Sequence, residues 1–438
     1  SSYPIFNLHI VEGQSSASSI GTGIMAVSNS FCFQVLCFGL YMVYVSYQNM
    51  MEALGGGMGQ QHSSQQFAAV PPKPVLIIDE NFKRVHHAES IFKPILEADY
   101  FLYHIDVDAV EEEGDYDGNV KAWFCKLDWT KQKESPNLVP RYGDIADQQW
   151  DVCKNDVSVS LRTIVIKARR YDETNPTKVH SLKETGFIYH ESRSGSTLAA
   201  NMITVADPEA NRVYSEPQPL SKAVMSGNER LVRDVMYILG RSNNLNEKRV
   251  FYKMRSTLTR YMSLMPQEVP WIFLYRKPEE VLLSHFDPTE VDGVVCLNSR
   301  NKPHKHEIEM AAQFGKEHES LSKSGICAMR LYSIVQSAID EHNRTKNGYF
   351  LNYESLPSSV WETVLPNYFN QDVDDDMIER MKAISGVYSK TSWTEKELKW
   401  DEETQEKDDM KKSQRKAAKK YMSEQYELLE QLSSNPAE

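Results

Sequence analysis

Residues Gly186–Val205 read GFIYHESRSGSTLAANMITV, and this stretch decides the fold. Gly186 to His190 is short, apolar and aromatic, the pattern of a buried strand. Ser196 to Val205 reads as a helix. Between them lies a small polar turn containing Ser192, Arg193, Ser194 and Gly195. A strand, a small-residue turn and a helix in that order aim backbone N–H groups and the positive helix end at one point. That arrangement binds an anion. Ser194, Ser196 and Thr197 add hydroxyl donors, and Arg193 adds a guanidinium whose fork fits phosphate or sulfate oxygens.

Downstream, short apolar strands alternate with longer helices. Strands are expected at Arg212–Ser215, Arg249–Met254, Trp271–Tyr275 and Tyr349–Asn352. Helices are expected at Pro219–Leu239, from Glu279 to His285, and once or twice within Lys305–Asn343. This alternation predicts a parallel sheet covered by helices on both faces, with ligands bound beyond the carboxyl ends of the strands.

A second cationic feature follows the strand Trp271–Tyr275. Arg276 ends it, Pro278 opens a helix, and Ser284 lies on that helix eight residues after Arg276. Arginine and serine can grip one phosphate from two sides. The pattern of a nucleoside triphosphatase, GxxxxGK[ST], is not met. With its second glycine on Gly195, the first falls on His190 and the lysine on Ser196. The strand also ends in Arg276 where a magnesium-holding acid is needed.

Arg193 to Thr197 resembles the 5′-phosphosulfate loop of the PAPS-dependent sulfotransferases, [KR]-[ST]-G-[ST]-[ST] after a strand. It is most similar to the Golgi and bacterial carbohydrate enzymes. Arg276, Pro278 and Ser284 resemble the same family's signature for the 3′-phosphate. Asn352-Tyr353-Glu354-Ser355-Leu356 and Ser385–Lys390 are similar to its later segments, so the resemblance covers about residues 183–432. It implies a P-loop-type three-layer α/β fold with a central parallel sheet. It also implies PAPS (3′-phosphoadenylyl sulfate) as co-substrate without a metal. Arg193, Ser194, Gly195, Ser196 and Thr197 would hold the 5′ side, and Arg276 and Ser284 the 3′-phosphate. The acceptor would be a hydroxyl on a glycan or small molecule.

Sulfuryl transfer needs the attacking hydroxyl, sulfur and leaving oxygen in line, with fixed donors at the leaving oxygen. Arg193 is placed for this. The hydroxyl must also lose a proton. Cytosolic family members use a histidine two residues after a lysine. Here Lys253 is kept but Arg255 stands at the histidine's place. Carbohydrate enzymes use a glutamate soon after the second strand, and Glu216 occupies that place. Glu216 as base and Lys253 at the leaving group are the expectations, with His190 packed under the loop. A helix-start acid is the plainer reading of Glu216.

Residues 1–72 contain no Lys or Arg. Within a first segment, 1–52, residues of about 24–46 read as a possible membrane anchor, though the clean run Val35–Val45 is short of the ~20 residues needed to span a bilayer. Residues 53–72 read as a flexible linker. Residues 73–180 read as a small mixed α/β region of unassigned role, with strands at Val75–Asp79, Tyr100–Asp106 and Leu161–Ala168 and an irregular Thr130–Gly143. Residues 181–438 read as the phosphate-loop domain. The net charge of −12 argues against general nucleic-acid binding. The six cysteines contain no CxxC and read as buried thiols, with Cys125–Cys153 and Cys296–Cys327 open to pairing as luminal disulfides. A Golgi or secretory membrane location is expected, with an organellar or soluble one as alternatives. Two other functions stay open: a non-catalytic scaffold on the same fold, and a nucleotide-dependent phosphotransferase.

Overall fold

The computed structural model describes residues 92–107, 116, 120–148, 153, 157–286, 294–387, 389 and 412–434. The anchor and linker segments, the strand expected at Val75–Asp79 and Lys390 lie outside them.

The strands are β1 (Phe101–Val107), β2 (Val120–Cys125), β3 (Val157–Ser160), β4 (His180–Ser181), β5 (Lys183–His190), β6 (Asn211–Ser215), β7 (Arg241–Ser242), β8 (Arg249–Lys253), β9 (Trp271–Tyr275) and β10 (Gly348–Asn352). The central sheet has the order β10-β9-β5-β8-β6, and every neighbouring pair in it is parallel. β1-β2-β3 form an antiparallel sheet, and β4 pairs with β7. The helices are α1 (Thr130–Glu134), α2 (Tyr142–Gln148), α3 (Leu161–Thr174), α4 (Ser196–Ala206), α5 (Gln218–Met225), α6 (Glu229–Leu239), α7 (Pro278–His285), α8 (Lys305–Gln313), α9 (Lys323–Thr345), α10 (Asp375–Ser385), α11 (Lys412–Tyr421) and α12 (Ser423–Ser434).

Successive strand residues point to opposite faces, and both faces here are apolar. Ile188, Val213, Phe251, Ile272, Leu274 and Leu351 bury against Ala199, Met202 and Ile203 of α4 and Met381 of α10. Phe187, Tyr214, Tyr252, Phe273 and Phe350 bury on the other face against Leu220 of α5, Val235 of α6 and Ile334 and Ala338 of α9. The protein is therefore a three-layer α/β fold around a central five-stranded parallel sheet. Each fully buried side chain of this size contributes about 1.5–3 kcal/mol, so the strand centres carry much of the stability. The second core continues through Leu102, Phe124 and Leu161 of the region before residue 180. Arg212 of β6 lies over the rings of Phe101 and Trp129, at 5.0 and 5.6 Å. It pairs with Glu247, which also takes Lys133 at 2.9 Å.

Several expectations are corrected. Leu161–Ala168 forms the first turns of α3 and is not a strand. Its buried residues Leu161, Ile164, Val165 and Ala168 have the i, i+3, i+4, i+7 spacing of a helix face. The β-branched residues outweighed that period in the sequence reading. Thr130–Gly143 contains α1 and the start of α2. The helix expected over Pro219–Leu239 is broken at Gly227, whose φ is +76°, and Asn228 caps α6 by accepting the Leu231 N–H at 2.8 Å. Cys125–Cys153 and Cys296–Cys327 are disulfides, where buried thiols were the first reading. Their Cα atoms lie 5.1 and 5.0 Å apart, within bridging range. Among the described residues no helix is long and apolar enough to cross a membrane.

Candidate anion-binding site

Register fixes where each candidate stands. Across β5 and β9, His190 pairs with Leu274. Across β5 and β8, Ile188 pairs with Lys253, and Ser215 of β6 pairs with the same lysine. The turn after β5, Arg276 after β9, Lys253 at the end of β8 and Glu216 after β6 therefore share the carboxyl edge of one sheet. α4 packs on one face. α7 packs Val281 and Leu282 against Cys327 and Leu331 of α9, whose next turns cover the opposite face. The chains leaving β5 and β9 thus part to opposite faces, the position at which open α/β sheets bind ligands.

The turn is bent by three left-handed residues. Ser192, Arg193 and Gly195 have φ of 92°, 56° and 80°. Non-glycine residues held there cost on the order of 1–3 kcal/mol each, so the surroundings must hold them. Both neighbouring strands do so. The Nε2 of His190 lies 3.1 Å from the Met254 carbonyl, just past β8, and its Nδ1 lies 3.1 Å from the Ser192 N–H. A carbonyl only accepts, so Nε2 carries the hydrogen and Nδ1 accepts from Ser192. On the other side, the Glu191 N–H and the Ser194 hydroxyl both donate to the Leu274 carbonyl, at 3.2 and 2.8 Å. The Arg276 N–H donates to Glu191 Oε1 at 2.5 Å.

Gly195 caps α4. A Cβ there would come within 2.8 Å of Tyr353 Cδ2 and Leu356 Cδ1, besides needing the unfavourable φ. Ser196 and Thr197 are buried on the first turn of α4, and Arg193 is half-buried. The Ser194 hydroxyl, expected from sequence as a ligand donor, donates to the Leu274 carbonyl here, and Ser194 is fully buried.

Arg276 is held in place from two directions. Its Nε donates to Glu280 Oε2 at 2.6 Å, and its guanidinium lies 4.3 Å from the centre of the Tyr353 ring. Tyr353 thus meets both Arg276 and the Gly195 backbone. Ser284 is half-buried on the last turn of α7. The next residue, His285, is 4% exposed, with neither ring nitrogen hydrogen-bonded. Burial, helped by the charges of Arg193 and Arg330, pushes its pKa down to about 3. Arg193 is therefore in electrostatic reach of the helix end that carries Ser284.

Glu216 and Lys253 come together as an ion pair. Lys253 is 1% exposed at its side chain, and the Glu216 N–H donates to the Lys253 carbonyl at 2.7 Å. Glu216 has φ 53°, and its second oxygen lies 4.0 Å from the Nε of Arg255. The pair belongs to β6 and β8, on the side of the loop away from Arg276.

Sequence reasoning gave no role to Glu191, Tyr353 or His285. Glu191 did carry a signal, because a carboxylate inside an anion-binding turn is out of place unless it does something there. It is 2% exposed, and burial pushes its pKa up to about 8 against the opposing N–H bond and charge of Arg276.

No family model matches the chain, and no curated protein matches it. One solved structure similar to it is mouse sulfotransferase SULT7A1 complexed with PAP, at 12% identity and TM-score 0.28. The match covers 57% of this chain and 82% of that one. So distant a likeness carries no argument of its own.

Proposed function

We propose that the chain is a PAPS-dependent sulfotransferase that moves a sulfuryl group onto the hydroxyl of a carbohydrate or another alcohol. One observation carries the reading. The phosphate-type turn and Arg276 stand on neighbouring parallel strands and are joined by the bond from the Arg276 N–H to Glu191. Two cationic grips at one sheet edge suit a nucleotide anionic at both its 5′ and 3′ positions. In this reading the acceptor oxygen attacks sulfur while the bond from sulfur to the 5′-phosphate oxygen breaks. Arg193 and the α4 N-terminus meet the charge left on that oxygen. Glu216 takes the hydroxyl proton, and Lys253 orients the carboxylate beforehand. The two disulfides support an oxidising compartment such as the secretory pathway.

A second reading, a non-catalytic member of the same fold, is favoured by the Glu216–Lys253 pair, in which the two candidate catalytic groups neutralise each other. The deciding experiment is a transfer screen with labelled PAPS over glycans, peptides, lipids and small alcohols. Label in any acceptor class, lost with Arg193→Ala, supports the enzyme. PAP binding with no transfer to any class supports the scaffold.

A further inference from the structure

The buried carboxyl of Glu191 has no part in the proposed chemistry, yet it stands where the two grips meet. Its backbone N–H is fixed to the Leu274 carbonyl, and its Oε1 accepts the Arg276 N–H at 2.5 Å. The turn is thereby bonded directly to the backbone of Arg276. Several charged groups stand near it among the described residues. Arg276 acts on it directly and is itself met by Glu280 of α7 and Tyr353 after β10. Lys277 is paired with Glu354. Within the turn, the charge of Arg193 falls on His285 of α7, and the ring of His190 is bonded to Met254 and Ser192. Burial outweighs the N–H bond and the charge of Arg276, which favour the ionised form.

We propose that Glu191 is a positioning residue that joins the two anion grips and couples nucleotide binding to uptake of a proton at its carboxyl. An ionised Glu191 would stand next to the bound phosphates and repel them. A protonated Glu191 keeps the bond to the Arg276 N–H through a carboxyl oxygen and adds no negative charge. Nucleotide therefore selects the protonated form. The inference rests on the nucleotide reading given above.

The test is calorimetric titration of the full chain with PAP in buffers of different ionisation enthalpy, at pH 6.5, 8 and 9. With half of the carboxyl ionised near pH 8, wild type takes up about half a proton per PAP there, and its affinity falls about tenfold by pH 9. Glu191→Gln keeps an acceptor oxygen for Arg276. It binds PAP within about twofold of wild type at pH 6.5, and loses both the uptake and the fall at pH 9. Glu191→Ala weakens PAP at every pH. PAP binding with the same proton uptake in wild type and Glu191→Gln overturns this proposal alone. No PAP binding by wild type overturns the nucleotide reading and this proposal together. If Glu191→Gln does not fold, the wild-type titrations decide: uptake absent at pH 8 and 9 overturns the proposal.

Discussion

Replacing Glu191 with Gln should make the protein's stability less dependent on pH, and the structure sets the size of the effect. Glu191 moves from an ordinary carboxyl value of 4.5 to about 8 on folding. The folded chain therefore holds a proton that the unfolded chain has released between those limits. Stability falls as pH rises from 4.5 and stops falling from this source above about 8. At about 1.4 kcal/mol per unit, the whole loss approaches ~5 kcal/mol. Between pH 5.5 and 8.5 the expected loss is about 3 kcal/mol. Glu191→Gln carries no such term, so its stability should gain on wild type by that amount across the interval. Denaturant unfolding at pH 5.5, 6.5, 7.5 and 8.5 measures it, read as midpoints at unchanged slope. Parallel pH curves for the two proteins would mean that Glu191 is ionised in the fold at every pH tested and that it holds no such proton.

Three further outcomes are expected. Arg276→Ala should weaken PAP about 10- to 100-fold, the loss of charged hydrogen bonds. It should change the affinity for adenosine 5′-phosphosulfate, which lacks the 3′-phosphate, by less than about twofold; equal losses for both ligands in parallel titrations would remove the 3′-phosphate role. Glu216→Gln should lower turnover about 10²- to 10⁴-fold while leaving the PAP dissociation constant near its wild-type value, and unchanged turnover would assign the base elsewhere. Gly195→Ala should lower the unfolding midpoint by the equivalent of about 1–3 kcal/mol and abolish PAP binding. Its added methyl must occupy the space of Tyr353 and Leu356, and a variant with both properties intact would show that the turn tolerates a different path.

The parallel sheet was legible because its strands are short, apolar on both faces and separated by helical stretches. Phe187 and Ile188, or Phe273 and Leu274, feed opposite cores, so no polar alternation weakens the pattern. The turn from Arg193 to Thr197 was legible because its small residues and guanidinium stand together in the chain. Leu161–Ala168 misled because β-branched residues hid a helical period that the buried positions later made plain. The lacing of the site was illegible for a different reason. Glu191 and Arg276 are separated by 85 positions, and nothing in either local sequence announces their bond. The pairing of Glu216 with Lys253 follows from the order of β6 and β8 in the sheet, which composition does not encode. In sequence His285 is only the last residue of an expected helix, and its burial with ring nitrogens that make no hydrogen bond sets it apart.

The central claim is that one nucleotide bridges the two strand ends. A crystal structure of the chain with PAP tests it most directly. The 5′-phosphate should lie on the backbone of residues 193–197, and the 3′-phosphate within hydrogen-bonding distance of Arg276 and Ser284. PAP bound elsewhere, or with its 3′-phosphate turned to solvent away from Arg276, would contradict it.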